Sequence, residues 1–131
     1  LVTLSACETG LVQSKLTDEY IGLPSGFLVA GSPAVVSSLW TVDDLSTALL
    51  MIKFYQNLLE QMSLAVALNQ AQLWLRYATV QNLRTWAEQF KKFNLENNFK
   101  EEVEEELASF DNEETPFNSP YYWGAYCAIG Q

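Results

Sequence analysis

The chain of 131 residues contains no histidine. That removes the commonest general base near neutral pH and the commonest metal ligand. Cysteine is nearly absent too: Cys7 and Cys127 stand in apolar contexts at opposite ends. Two thiols without histidine make neither a disulfide framework nor a zinc site, and no other cofactor is implied. A reducing, cytoplasmic setting is the simpler expectation. Long hydrophobic runs are also missing. Residues 1–4 and 34–40 are too short to cross a bilayer, and the apolar stretch 64–78 is broken by Asn69, Gln70, Gln72 and Arg76. No basic leader precedes the first strand-like run and the chain does not open with Met, so we expect a piece of a longer polypeptide. Basic residues are few, seven against sixteen acids, for a net charge of −9. Residues 96–114 hold nine acids against Lys100, a local −8, and the rest holds seven acids and six bases, or −1. The body is therefore almost neutral. One acidic segment and no basic aromatic patch argue against nucleic-acid binding.

What is present is apolar and patterned. Hydrophobic residues make up 49% of the chain, enough for one buried core. Leu1-Val2-Thr3-Leu4-Ser5-Ala6 lacks polar alternation and reads as a strand buried on both faces. Residues 21–31 suit a short buried helix whose glycines permit close packing, with Gly31 as its C-terminal cap. Residues 34–40 read as a second strand, rich in β-branched side chains. Asp43 or Asp44 caps a helix running to about Met62, with Leu45, Leu49, Ile52, Tyr55 and Leu59 on one stripe. Ser63 can cap the next helix, which buries Leu64, Leu68, Ala71, Leu75 and Ala78. A third helical pattern from Gln81 uses Leu83, Trp86, Phe90 and Phe93. A fourth, acidic one follows a break at 94–98 and uses Phe99, Val103, Leu107 and Phe110. Two prolines make 115–120 a loop, and residues 121–130 read as a closing aromatic strand. This order, β-α-β-α-α-α-α-β, predicts an α/β layered domain.

Cys7 stands in Ser5-Ala6-Cys7-Glu8-Thr9-Gly10, where the first strand gives way to a small-residue loop. The carboxyl edge of an open α/β sheet is the usual place for chemistry, and a thiol there is nucleophilic once a base takes its proton. A free cysteine in an apolar setting also serves simply as a small packing residue. Trp40, Asp43 and Asp44 follow the second strand and face the same rim. Their carboxylates can hold a basic substrate side chain, most tightly an arginine, or cap a helix; both readings stay open. Cys127 reads as packing. Tyr121, Tyr122 and Trp123 can line a pocket or anchor a core, and the acidic helix can be a solvated face or a docking surface.

Four separated blocks resemble the CHAT family, the caspase-like cysteine peptidase domains often fused to tetratricopeptide repeats. They are Leu4-Ser5-Ala6-Cys7-Glu8-Thr9-Gly10, then Gly22-Leu23-Pro24-Ser25-Gly26-Phe27-Leu28-Val29-Ala30-Gly31, then Val35-Val36-Ser37-Ser38-Leu39-Trp40-Thr41-Val42-Asp43-Asp44, and lastly Tyr122-Trp123-Gly124-Ala125-Tyr126. Leu50-Met51, Phe54-Tyr55, Ala67-Leu68 and Gln70-Ala71-Gln72 resemble the family's helices. The resemblance implies a three-layer αβα caspase-like sandwich, with residues 1–131 as its C-terminal strands and helices. It assigns Cys7 the nucleophile's role and puts the partner histidine in a His-Gly motif on a preceding strand, upstream of residue 1. The glycine amide of that motif would share the oxyanion with the cysteine amide, so this chain alone is expected to be catalytically silent. The Trp40–Asp44 block is similar to the loop of the related separase peptidases in which an acid helps select arginine.

The function implied is peptide-bond hydrolysis by a Cys-His dyad. The expected partners are a protein or peptide substrate, the upstream part of the same domain and repeat domains, with no nucleic acid and no membrane. The rival expectation is a non-catalytic interaction module or pseudopeptidase.

Overall fold

The computed structural model describes residues 1–4, 23–89 and 97–130. Strand β1 (Val2–Leu4) precedes helix α1 (Leu23–Val29), strand β2 (Ala34–Ser38) and the long helix α2 (Asp44–Leu59). Helices α3 (Leu64–Tyr77), α4 (Val80–Gln89) and α5 (Asn97–Leu107) follow. A single helical turn, α6 (Pro120–Trp123), then leads into strand β3 (Tyr126–Gly130). The result is an α/β arrangement of helices with a small mixed sheet.

The sheet order is β1-β2-β3, with β1 parallel and β3 antiparallel to β2. Leu4 stands opposite Ser37, and Ser37 in turn opposite Cys127. Every residue of β2 is buried, Ser37 and Ser38 included, as expected for a strand flanked on both sides and covered on both faces. It is shorter than the predicted 34–40: Leu39 and Trp40 have left the ladder. Strand β1 is half-buried and, among the described residues, pairs on one side only. Among the described residues β1 therefore stands at an edge of the sheet.

Helix α1 ends as the sequence predicts. Gly31 takes φ +93°, its amide donates to Leu28 O at 3.0 Å, and the Ser32 amide donates to Phe27 O at 2.9 Å. That pair of bonds closes the helix on a left-handed residue, which glycine adopts without steric cost. Among the described residues nothing lies within 4 Å of a Cβ added at Gly26, so the close packing predicted for it is not seen there.

The buried face of α2 is Leu49, Leu50, Met51 and Phe54 with Ser46 and Asn57. The predicted stripe was rotated from it, for Tyr55 is 45% and Leu59 85% exposed. The reason lies in tertiary packing: α2 contacts both α3 and the α6 turn, so its buried arc follows two neighbours and not one. Buried Asn57 donates to Ala67 O at 3.0 Å, tying α2 to the first turns of α3. Helix α3 buries Ala67, Leu68, Ala71 and Leu75, close to prediction, although Ser63 makes no side-chain capping bond. In α4, Val80, Leu83, Trp86 and Ala87 are buried, while the predicted Phe90 and Phe93 lie outside the described residues. Thr79 and Asn82 cap it reciprocally at 3.0 and 3.1 Å. Val103 and Leu107 seat α5, and Arg84 bridges from α4 to Glu104 at 3.1 Å.

The predicted strand over 121–130 is the clearest correction. Its first part is the α6 turn, because Pro120 stands at the start of a helix, where a missing N–H costs nothing and φ is already helical. The Gly124 amide closes the turn on Pro120 O at 2.8 Å.

Candidate functional site

Parallel pairing sends the carboxyl ends of β1 and β2 to one edge of the sheet. Leu4, opposite Ser37, is the last described residue of β1 at that edge, and the Leu39–Asp43 loop leaves β2 beside it. Cys7 itself lies outside the described residues. The α6 turn reaches the same edge from the far side, since Tyr126 at the start of β3 faces Ser38 at the end of β2.

The loop after β2 is fastened in three places. The Leu39 amide donates to Ala125 O at 2.8 Å. The Trp40 Nε1–H donates to Tyr121 O at 3.1 Å, and its ring lies against Gly124, where a Cβ would come within 3.5 Å of it and 2.8 Å of Pro120 O. Glycine is required there by that approach. Val42 is buried as the loop's apolar anchor. Trp40 is thus half-buried against the core, with its indole N–H already engaged.

Asp43 is the N-cap of α2: its Oδ2 accepts from the Ser46 amide at 2.8 Å, while the Ser46 hydroxyl donates to Asp43 O at 3.2 Å. Capping is therefore realised at Asp43, and one carboxylate oxygen is committed to it. Asp44 lies in the first helical turn with its side chain exposed, where the dipole favours a negative charge. Trp40 and Asp43 thus lie on the loop after β2, and Asp44 directly follows as the first residue of α2. Among the described residues no cluster of three or more His, Cys, Asp or Glu stands ready to hold a metal ion.

Cys127 is half-buried, with its Sγ 3.8 Å from both Ser37 Oγ and Ser37 O. Tyr122 and Trp123 are half-buried against the core, and Tyr122 meets Phe117 edge-on at 5.2 Å. Tyr121 stays 46% exposed and touches Tyr122 edge-on at 5.2 Å.

Sequence reasoning missed two residues at this edge. Gln72 donates from Nε2 to Tyr126 O at 2.9 Å, holding α3 against β3. Arg76, read from the sequence only as an interruption of an apolar stretch, places its guanidinium 5.0 Å over the Tyr77 ring and 5.2 Å over the Trp123 ring. The one available signal was the aromatic context of Tyr77; Trp123 is 47 positions away. A shallow groove of about 540 Å³ lies apart from the predicted site residues, between α3 and α4, and is walled by Trp74, Tyr77, Gln81 and Trp86.

An α/β domain with two parallel strands ending beside an acidic, aromatic loop defines the class of the fold. A family profile for the CHAT domain matches residues 1–131, and the chain belongs to the CHAT domain family. CHAT domains are associated with the caspase-like cysteine peptidases. No curated protein and no solved structure matches the chain significantly. No helix among the described residues is long and apolar enough to cross a membrane.

Proposed function

We propose that this chain is the nucleophile-bearing, C-terminal part of a caspase-like cysteine endopeptidase, with Cys7 as the nucleophile. The observation that carries the reading is the match to the CHAT family over the whole chain. The parallel β1–β2 pair supports it, because Leu4, three residues before Cys7 in the sequence, ends β1 at the edge where Asp43 and Asp44 follow β2. The parent fold on this reading is a three-layer αβα sandwich. Further strands, one carrying the histidine, belong to a preceding part of the same polypeptide.

The chemistry follows from the residue types. The histidine takes the thiol proton, and the Cys7 sulfur attacks the scissile carbonyl carbon, forming a C–S bond. Backbone amides hold the resulting oxyanion. The carbonyl re-forms as the C–N bond breaks, and the imidazolium gives its proton to the departing amine. Water, deprotonated by the same histidine, then attacks the thioester and releases the acid and the thiolate. Asp44 is the better placed of the two carboxylates to receive a basic substrate side chain, since Asp43 already caps α2. A cytoplasmic, repeat-linked protein presenting protein substrates is part of the same proposal.

In the full natural polypeptide, Cys7→Ala should lower peptide cleavage at least about 1,000-fold, the order seen when an active-site nucleophile is removed. Asp44→Ala should weaken the preference for arginine peptides. Full cleavage by the Cys7→Ala protein would overturn the assignment of Cys7 as the nucleophile, and no cleavage by the unmodified polypeptide would leave the non-catalytic interaction module. An unchanged arginine preference in Asp44→Ala would leave that residue as a helix-dipole partner.

A further inference from the structure

The groove between α3 and α4 lies on the other side of α3 from the sheet edge. Gln72 binds the Tyr126 carbonyl, and Trp74, two residues on, stands about 200° further round the helix. There its ring meets Trp86 of α4 at 4.9 Å, tilted by 49°. Lys53 of α2 holds its Nζ 6.0 Å from the Trp74 ring, and the Trp86 Nε1–H donates to Gln56 Oε1 at 3.3 Å. Both indoles are thus fixed before any ligand arrives. Tyr77, one turn beyond Trp74 and 62% exposed, adds a third ring, steadied by the Arg76 guanidinium at 5.0 Å.

Helix α4 forms the facing wall. Gln81, Thr85 and Gln89 recur at four-residue steps and make one exposed stripe along the groove, with Asn82 beside Gln81. Arg84 of the same helix is engaged instead with Glu104 and Asn112. None of the described residues that line the groove is charged, although the chain has a net charge of −9. The wall therefore complements a neutral ligand. Its three carboxamides and one hydroxyl supply donors and acceptors together. Asn82 contributes its amide N–H groups, since its Oδ1 accepts from the Thr79 amide at 3.0 Å. Sugar hydroxyls also donate and accept at once, and the C–H face of a pyranose packs on the electron-rich face of an aromatic ring. A proline-rich backbone suits aromatic grooves too, but it lacks N–H donors and would leave the carboxamide oxygens unmatched.

We propose that the α3–α4 groove is a carbohydrate-binding site for a short neutral oligosaccharide. A sugar face lies on Tyr77 and Trp74, and its hydroxyls bond to Gln81, Thr85 and Gln89. The groove's volume of about 540 Å³ falls among those of small-molecule sites. The proposal does not rest on the peptidase reading, because none of these residues belongs to the Trp40–Asp44 rim.

The test is calorimetric and saturation-transfer NMR titration of the full natural polypeptide with maltotriose, cellotriose and tri-N-acetylchitotriose. At least one should bind with Kd of about 1 mM or tighter, as for a shallow site with one or two stacked rings. Tyr77→Ala and, separately, Gln81→Ala should each weaken that binding at least about tenfold; both side chains are exposed, so the melt should not move. Cys7→Ala should bind as the unmodified protein does. Affinity should hold between 50 and 500 mM salt, since no ion pair forms, a readout that needs no variant. Binding of soluble amylose as well as maltotriose would make a polysaccharide the source, and binding of a trisaccharide alone a free sugar; both support the site. No binding of any of the three, or binding undiminished in both variants, overturns the proposal. So does capture of decaproline in their place with loss in Tyr77→Ala, which would make the groove a peptide site.

Discussion

Asp43 and Asp44 are adjacent acids with separable roles. Asp43 satisfies the Ser46 amide, one of the orphan donors at the start of α2. Asp43→Ala should therefore lower stability by about 1 kcal/mol in denaturant unfolding. Asp44→Ala removes an exposed charge with no bond of its own in the helix cap, and its effect should stay within about 0.5 kcal/mol. Equal losses for the two would contradict the assignment of the cap. Gly124 is the most constrained small residue at the edge. A Cβ there meets Pro120 O at 2.8 Å and the Trp40 ring at 3.5 Å. Gly124→Ala should cost about 1–3 kcal/mol and red-shift or quench Trp40 emission, because the ring and the turn cannot both keep their places. An unchanged melt with unchanged fluorescence would show the latch to be slack.

At the scale of elements, the buried face of α3 was readable from spacing and that of α2 was not. In α3 the small and large apolar residues Ala67, Leu68, Ala71 and Leu75 repeat on one face, and that face is the buried one. In α2 a longer apolar sequence offered several stripes, and contact with α3 and α6 together selected Leu50 and Phe54 over Tyr55 and Leu59. Phe54→Ala should cost about 3–5 kcal/mol, while Leu59→Ala, at 85% exposure, should cost under about 0.5 kcal/mol. The α6 turn was hidden because Tyr121-Tyr122-Trp123 has strong β preference. The deciding signal was Ser119-Pro120 ahead of it and Gly124 behind, which is helix punctuation at both ends. The candidate site was legible where it is local, in the Trp40–Asp44 loop. Arg76 was not, because its meaning depends on Trp123, which only the fold brings near.

At the scale of the molecule, charge and sheet edge pull in opposite directions. Net charge is −9, mostly from one segment, and it opposes association at low salt. Strand β1, apolar and uncharged, pairs on one side only among the described residues, which is the profile that invites strand-to-strand pairing. The 131-residue chain by itself should therefore associate with rising concentration and salt, as read by sedimentation, and bind hydrophobic dyes. A monomer with a sharp cooperative melt and no dye binding would contradict a fold that needs preceding strands. The same chain should cleave no peptide, since it has no histidine to activate a thiol. The central claim, that Cys7 is the nucleophile of a peptidase, is tested most directly by covalent capture. The full natural polypeptide is treated with a peptidyl acyloxymethyl ketone ending in arginine, digested and mapped by mass spectrometry. The account predicts one thioether adduct, on Cys7, that excess substrate peptide prevents. Labelling of Cys127 instead, or labelling of Cys7 that substrate does not slow, would contradict it.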